Sequence, residues 1–135
     1  MREILFRGKT EQFGNWIEGS LIVGRDLESD KLIYLIAPLS AYYTEVKKVI
    51  PETVGQYTGL TDKNGTKIFE GDILQFDYIG KNLGVNGISF VSFQNGKFGV
   101  EWGWHKEFVC LDGFANTTLE VIGNIVDNPE LLGDK

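Results

Sequence analysis

One cysteine, one histidine and three prolines are all that this 135-residue chain holds of those types. With Cys110 alone no intramolecular disulfide can form, and between Val109 and Leu111 the thiol reads as a small buried hydrophobe. A zinc site would have to be built from His105, that one thiol and carboxylates with no clustered spacing, which excludes the usual ligand patterns. His105 also lacks a nucleophile elbow or any other triad signature around it. The glycines at 99, 103 and 113 do not form a phosphate-binding loop leading into a helix, so neither nucleotide hydrolysis nor any other cofactor chemistry is indicated. No segment supplies the roughly 18 apolar residues of a spanning helix. The start, Met1-Arg2-Glu3-Ile4-Leu5-Phe6-Arg7, lacks the apolar region of a secretory signal, so the chain is expected in the cytoplasm.

Positive charge is scarce as well. Thirteen Lys and Arg face nineteen Asp and Glu, a net charge of −6. Residues 1–50 carry seven of each sign, whereas residues 51–135 carry six basic and twelve acidic side chains. Affinity for a phosphate backbone comes largely from Lys and Arg that displace counterions, so nucleic acid is disfavoured as a partner. The cations available for such a patch are Arg2, Arg7, Lys9, Lys47 and Lys48, all in the balanced front part.

What the chain has in quantity is glycine and aromatic residues, seventeen of each, a combination that suits many short strands joined by tight turns. Strands are expected over Glu3–Gly8, over Asn15–Gly24 with Ile17, Leu21 and Val23 on one face, and over Leu32–Ile36, with a charged loop at residues 25–31. Residues 39–50 are ambiguous: Leu39, Tyr42, Tyr43 and Val46 fall at helical spacing, but Val46-Lys47-Lys48-Val49-Ile50 favours strand. The two tyrosines are either core or cross-strand aromatics or a base-stacking platform. Thr53–Gly59 reads as a strand, and Asp62-Lys63-Asn64-Gly65 as a turn with positive φ at both central residues. Asp72–Ile79 alternates with a period of two, with Leu74, Phe76 and Tyr78 on one face. A second hairpin joins Ile88–Phe93 to Phe98–Trp104 through Asn95-Gly96, with Phe98, Val100, Trp102 and Trp104 sharing a face. A last strand is expected over Leu119–Asp127, and Asn128-Pro129-Glu130 opens one closing helical turn.

The oxygens of Asp62, Asn64, Glu70 and Asp72 invite comparison with a calcium loop. Counted from Asp62, however, Gly65 is fourth and Lys67 sixth, whereas an EF-hand places its glycine sixth. The segment reads as a solvated hairpin, with no metal assigned.

Three stretches, "REILFRGK" at the start, "ETVGQYTGLTDKNGTKIFEGDIL" in the middle and "EVIGNIVDNPELL" at the end, resemble the YopX family of small phage and prophage proteins of bacteria. Its signature falls here on Gly55, Gln56, Tyr57, Gly59, Asp62, Asn64, Gly65, Glu70, Gly71 and Asp72. Residues 77–118 carry the least of the likeness. The resemblance implies a mainly β protein with an SH3-like barrel and assigns no activity.

The expected fold is therefore a single mainly β domain over residues 1–135. It comprises an N-terminal β part (1–50), a C-terminal part (51–135) with an SH3-like barrel, and one short C-terminal helical turn. The expected function is that of a noncatalytic accessory module in the bacterial host cytoplasm, binding a protein partner or itself through a strand edge or the Trp102 and Trp104 surface. A single-stranded nucleic-acid module using Arg2, Arg7, Lys9, Lys47 and Lys48 is the alternative, and an enzyme of unknown type a further one.

Overall fold

The computed structural model describes residues 2–39, 45–79, 84–102, 106–114 and 118–133. Tyr42, Tyr43, Trp104 and His105, singled out above, lie outside the described residues. The chain divides between Tyr57 and Thr58 into two compact units, where the sequence division was drawn after residue 50. No helix among the described residues is long and apolar enough to cross a membrane.

The first unit is an antiparallel sheet of β1 (Phe6–Lys9), β2 (Trp16–Arg25), β3 (Leu32–Pro38), β4 (Lys47–Val49) and the start of β5 (Gly55–Thr61), in the order β4-β3-β2-β1-β5. It curls until β4 meets the end of β1. Thr10 bridges Val49, the Glu11 N–H donates to the Lys48 carbonyl and the Ile50 N–H to the Lys9 carbonyl. Ile36 and Val49 are fully buried on the inner side against Gly8. Before β5, Pro51–Thr53 forms a 3₁₀ turn in place of the expected strand start. Proline suits a first-turn position, and the Thr53 hydroxyl donates to the Ile50 carbonyl at 2.6 Å.

The second unit holds the end of β5, β6 (Lys67–Phe69), β7 (Asp72–Ile79), β8 (Gly84–Gln94), β9 (Lys97–Trp102), β10 (Glu107–Cys110) and β11 (Leu119–Asn124). Its five-stranded sheet runs β10-β9-β8-β7-β11 and is open, with β10 and β11 as its edges. The closed barrel expected in residues 51–135 is therefore not formed. Closure was inferred from the general need to remove sheet edges, but a sheet can also have its edge covered by a loop, which is the solution found for β11 below. One face of the sheet carries the core: Leu74, Phe76, Val91, Val100 and Leu119 cluster with Ile68, Leu111 and Phe114. Trp102 is half-buried against this cluster, with its ring edge-on to Phe76 at 5.9 Å.

The two Asn-Gly turns differ. Asn95 and Gly96 have φ of 52° and 78° and join Gln94 to Lys97 directly, the two-residue turn expected. At Asp62–Thr66 only Gly65 is left-handed, with φ 81°. The Gly65 N–H donates to the Asp62 carbonyl and the Asp62 N–H to the Thr66 carbonyl, the pattern of a three-residue loop ending in a left-handed glycine. Asn64 thus departs from the expected positive φ. The closing turn, Pro129–Leu132, is 3₁₀, and Asn128 does not cap it; its Oδ1 accepts the Asn124 N–H at 3.2 Å.

Two substitutions test these assignments by thermal melting. Gly65→Val forces a β-branched residue into left-handed backbone and is expected to destabilise by about 1–3 kcal/mol; an unchanged melting temperature refutes the turn. A Cβ at Gly87 would lie 2.4 Å from Trp102 Nε1 and 2.5 Å from Phe76 Cε2, both held in the core. Gly87→Ala is therefore expected to cost about 1–3 kcal/mol through overpacking.

Candidate functional site

The signature loop is organised by the buried carboxylate of Asp62, only 4% exposed. Its Oδ1 accepts the N–H groups of Asn64 and Thr66, each at 2.9 Å, and closes the loop on itself. Its Oδ2 accepts the N–H of Val121 in β11, also at 2.9 Å. Next to it, the Lys63 N–H donates to the Leu119 carbonyl at 3.0 Å, and Lys63 Nζ lies 3.6 Å from Glu120 Oε1. Since β11 pairs with β7 on its other side, the loop takes the place of a neighbouring strand and covers a sheet edge. Burial pushes the Asp62 carboxyl up, but hydrogen bonds from Val121, Thr66 and Asn64, with help from the Lys63 charge, outweigh it and hold the group below the usual aspartate value. A carboxylate so held is a weak base and has its oxygens directed at backbone donors, not at a cleft.

Asp72 and Gly71 are tied to the backbone as well. Asp72, buried, accepts the Phe69 N–H on Oδ2 at 2.7 Å and fixes the turn through Glu70 and Gly71. Gly71, with φ 91°, donates its N–H to the Val91 carbonyl and accepts from Ile125. Gly59 has φ 90°, while Gly55 and Tyr57 are buried and Gln56 half-buried in β5.

A polar cleft of about 100 Å³ lies beside the loop, lined by Lys63, Gln75, Phe76, Asp77, Thr118 and Glu120. Sequence reading missed it, because its walls come from the loop, β7 and the approach to β11, with no motif to join them.

The five cations of the front part do not all share one face. Arg7, Lys9 and Lys48 lie on the outer face of the curled sheet, while Lys47, alternating with Lys48, takes the inner one. Arg7 sits 4.8 Å and Lys9 5.7 Å from the centre of the Trp16 ring. Lys48 pairs with Glu11 at 3.6 Å and Lys47 with Glu45 at 3.1 Å; Arg2 is exposed at the chain start. Trp16 was not singled out from the sequence, although the period of two in Arg7 and Lys9, read across a β1–β2 hairpin, was the available signal.

Asp62→Asn removes the charged acceptor and leaves a buried N–H poorly paired, so a loss of about 1–3 kcal/mol is expected at pH 7. A depressed folded pKa contributes stability that is present above the unfolded value, about 3.9, and lost as pH falls through the folded one. The gap between wild type and Asp62→Asn in denaturant melts should accordingly shrink below about pH 4. A gap constant from pH 7 down to pH 2.5 refutes the clamp.

Comparison with known proteins agrees with this scaffold. No curated protein sequence matches the chain. Among solved structures it is similar to the crystal structure of protein EF1440 from Enterococcus faecalis, at 26% identity over 98% of this chain and 99% of that one, with a TM-score of 0.58. The YopX protein family model matches residues 5–133, nearly the whole length, and the chain belongs to the YopX family.

Proposed function

We propose that this YopX protein is a noncatalytic accessory protein of a phage or prophage, working in the bacterial cytoplasm by binding a protein partner, either a second copy or another chain. The observation that carries the reading is the outer half of the β2–β3 hairpin. Beyond Ser20, β2 pairs only with β3, and residues 32 and 33 of β3 pair only with β2. This two-stranded end, residues 24–25 and 32–33, and the positions just inside it, where β4 has joined β3, expose apolar side chains on both faces, Ile22 at 43% on one and Val23 at 49% with Leu32 at 48% on the other. At its tip Leu27 is 98% exposed. An isolated two-stranded ribbon is marginal in water, and exposed apolar residues grouped on one element mark interaction sites.

The nucleic-acid reading has less support. Two of its five cations are in ion pairs, two lie over Trp16, and Lys47 faces away from the others of the sheet. The two buried signature carboxylates, Asp62 and Asp72, are taken up by backbone donors, which favours a binding role over catalysis.

A photo-crosslinking residue at position 27, introduced into the protein made in bacteria, tests the ribbon. An adduct with a second copy or another protein is expected, absent when the probe stands at the exposed Glu52 and lost in Ile22→Ser/Val23→Ser. Equal labelling from both positions overturns the assignment. Salt-sensitive micromolar binding of labelled single-stranded DNA or RNA, lost in Lys9→Ala/Lys48→Ala, would replace it with the nucleic-acid reading.

A further inference from the structure

The five-stranded sheet has a second face, opposite the core, that no described element fully covers. Strand registry places Gln75, Ile88, Phe90, Ser92 and Glu101 there, with Glu120 across from Gln75 and Phe108 across from Glu101. Ile88 and Phe90, neighbours on the central strand β8, are both exposed. Phe108 lies against Gly99 on the same face. Leu131, also exposed, lies against Gly123 and extends the apolar surface beyond Ile73.

The rim of this surface is acidic. Asp77 and Glu101 are exposed, Glu120 lines the cleft at its edge, and the cation of that cleft, Lys63, is paired with Glu120. The unit itself, residues 58–135, holds six Lys and Arg against eleven Asp and Glu. Lys97, at the β8–β9 turn, is another cation on this face, so Asp77, Glu101 and Glu120 outnumber Lys63 and Lys97 around its aromatic and aliphatic groups, and such a surface takes its specificity from the opposite charge on the partner.

We propose that this face binds an extended protein segment with apolar residues flanked by Arg or Lys. Its apolar side chains cover Ile88 and Phe90, and its cations meet Asp77, Glu101 and Glu120. The proposal rests on the reading of the chain as a protein-binding module but uses a surface distinct from the β2–β3 ribbon. Charge of this sign turns away nucleic acid and anionic lipid, leaving a basic polypeptide as the matching occupant.

The test is an amide-resolved NMR titration of the full chain with the synthetic peptide acetyl-Arg-Val-Phe-Val-Arg-amide, and with the same peptide carrying Glu for both Arg. The basic peptide is expected to shift resonances of Gln75, Asp77, Ile88, Phe90 and Glu101, and to bind at least tenfold more tightly than the acidic one, with affinity falling as salt rises. Asp77→Lys/Glu101→Lys and Ile88→Ser/Phe90→Ser, all at exposed positions, should each weaken it at least fivefold while the melting temperature holds. Ile22→Ser/Val23→Ser should bind the peptide as wild type does. Equal affinity for both peptides, shifts confined to the first unit, or no shift at millimolar peptide overturns the proposal. No peptide binding with crosslinking from position 27 retained overturns this site alone, and peptide binding without that crosslinking overturns the ribbon alone.

Discussion

The hydrogen bond from the Val121 N–H to Asp62 is the contact on which the edge of the second sheet depends. An open sheet presents unpaired N–H and C=O groups along each edge strand, and these recruit other strands unless something covers them. On β11 the cover is a loop, not a strand, and a loop holds its place only if its own conformation is held. Asp62 meets both demands with one side chain, since one oxygen closes the loop and the other reaches the edge. Any movement that frees β11 also strains the turn. Asp72 repeats the device on a smaller scale across the turn at Glu70 and Gly71. Both acidic residues of the signature that are buried are thereby accounted for as structural acceptors for backbone donors.

How much of this was legible depended on range. The β7 strand was read at its observed ends because its alternation is local and strict, and the Asn95-Gly96 turn because both flanking strands run into it. The same dipeptide at 64–65 misled. Asp62 adds a side-chain acceptor that draws in the N–H groups of Asn64 and Thr66 and leaves only the glycine left-handed. Nothing near Asp62 announces Val121, which is 59 positions away. The barrel failed for a related reason: closure is a property of how the last strand meets the first, and no local pattern encodes it. Instead, the first unit came nearest to closing on itself, through the bridge from Thr10 to Val49.

Sheet registry also re-sorts residues that composition lumps together. Lys47 and Lys48 are adjacent in sequence and therefore on opposite faces of β4, so a count of basic residues overstates any patch that includes both. The same rule works the other way for Arg7, Lys9 and Trp16, which are scattered in sequence but share one face. Residues 22 and 23 are the most telling pair. On a strand covered on one side, one of them is buried, whereas here Ile22 is 43% and Val23 49% exposed.

Asp62, Gly65, Gly71 and Asp72 hold turns and an edge together, whereas the surfaces proposed to meet a partner lie elsewhere, on the ribbon and on the outer face of the second sheet. On the proposed readings, the residues that fix the fold and those that meet a partner are different residues of one small chain. The two surfaces also differ in physical character. The ribbon is apolar with charges of both signs at its tip, Arg25 paired with Asp30 at 3.5 Å among them, so its field at a distance is weak. The second unit concentrates the negative charge of the chain, and such a field acts over about a Debye length, roughly 8 Å at physiological salt. Charge of that kind governs how fast a cationic partner arrives, while desolvated apolar contact governs how long a partner stays. On the proposed readings, the charge of the second unit speeds the arrival of a cationic segment, and the apolar groups of each surface set how long its own partner stays.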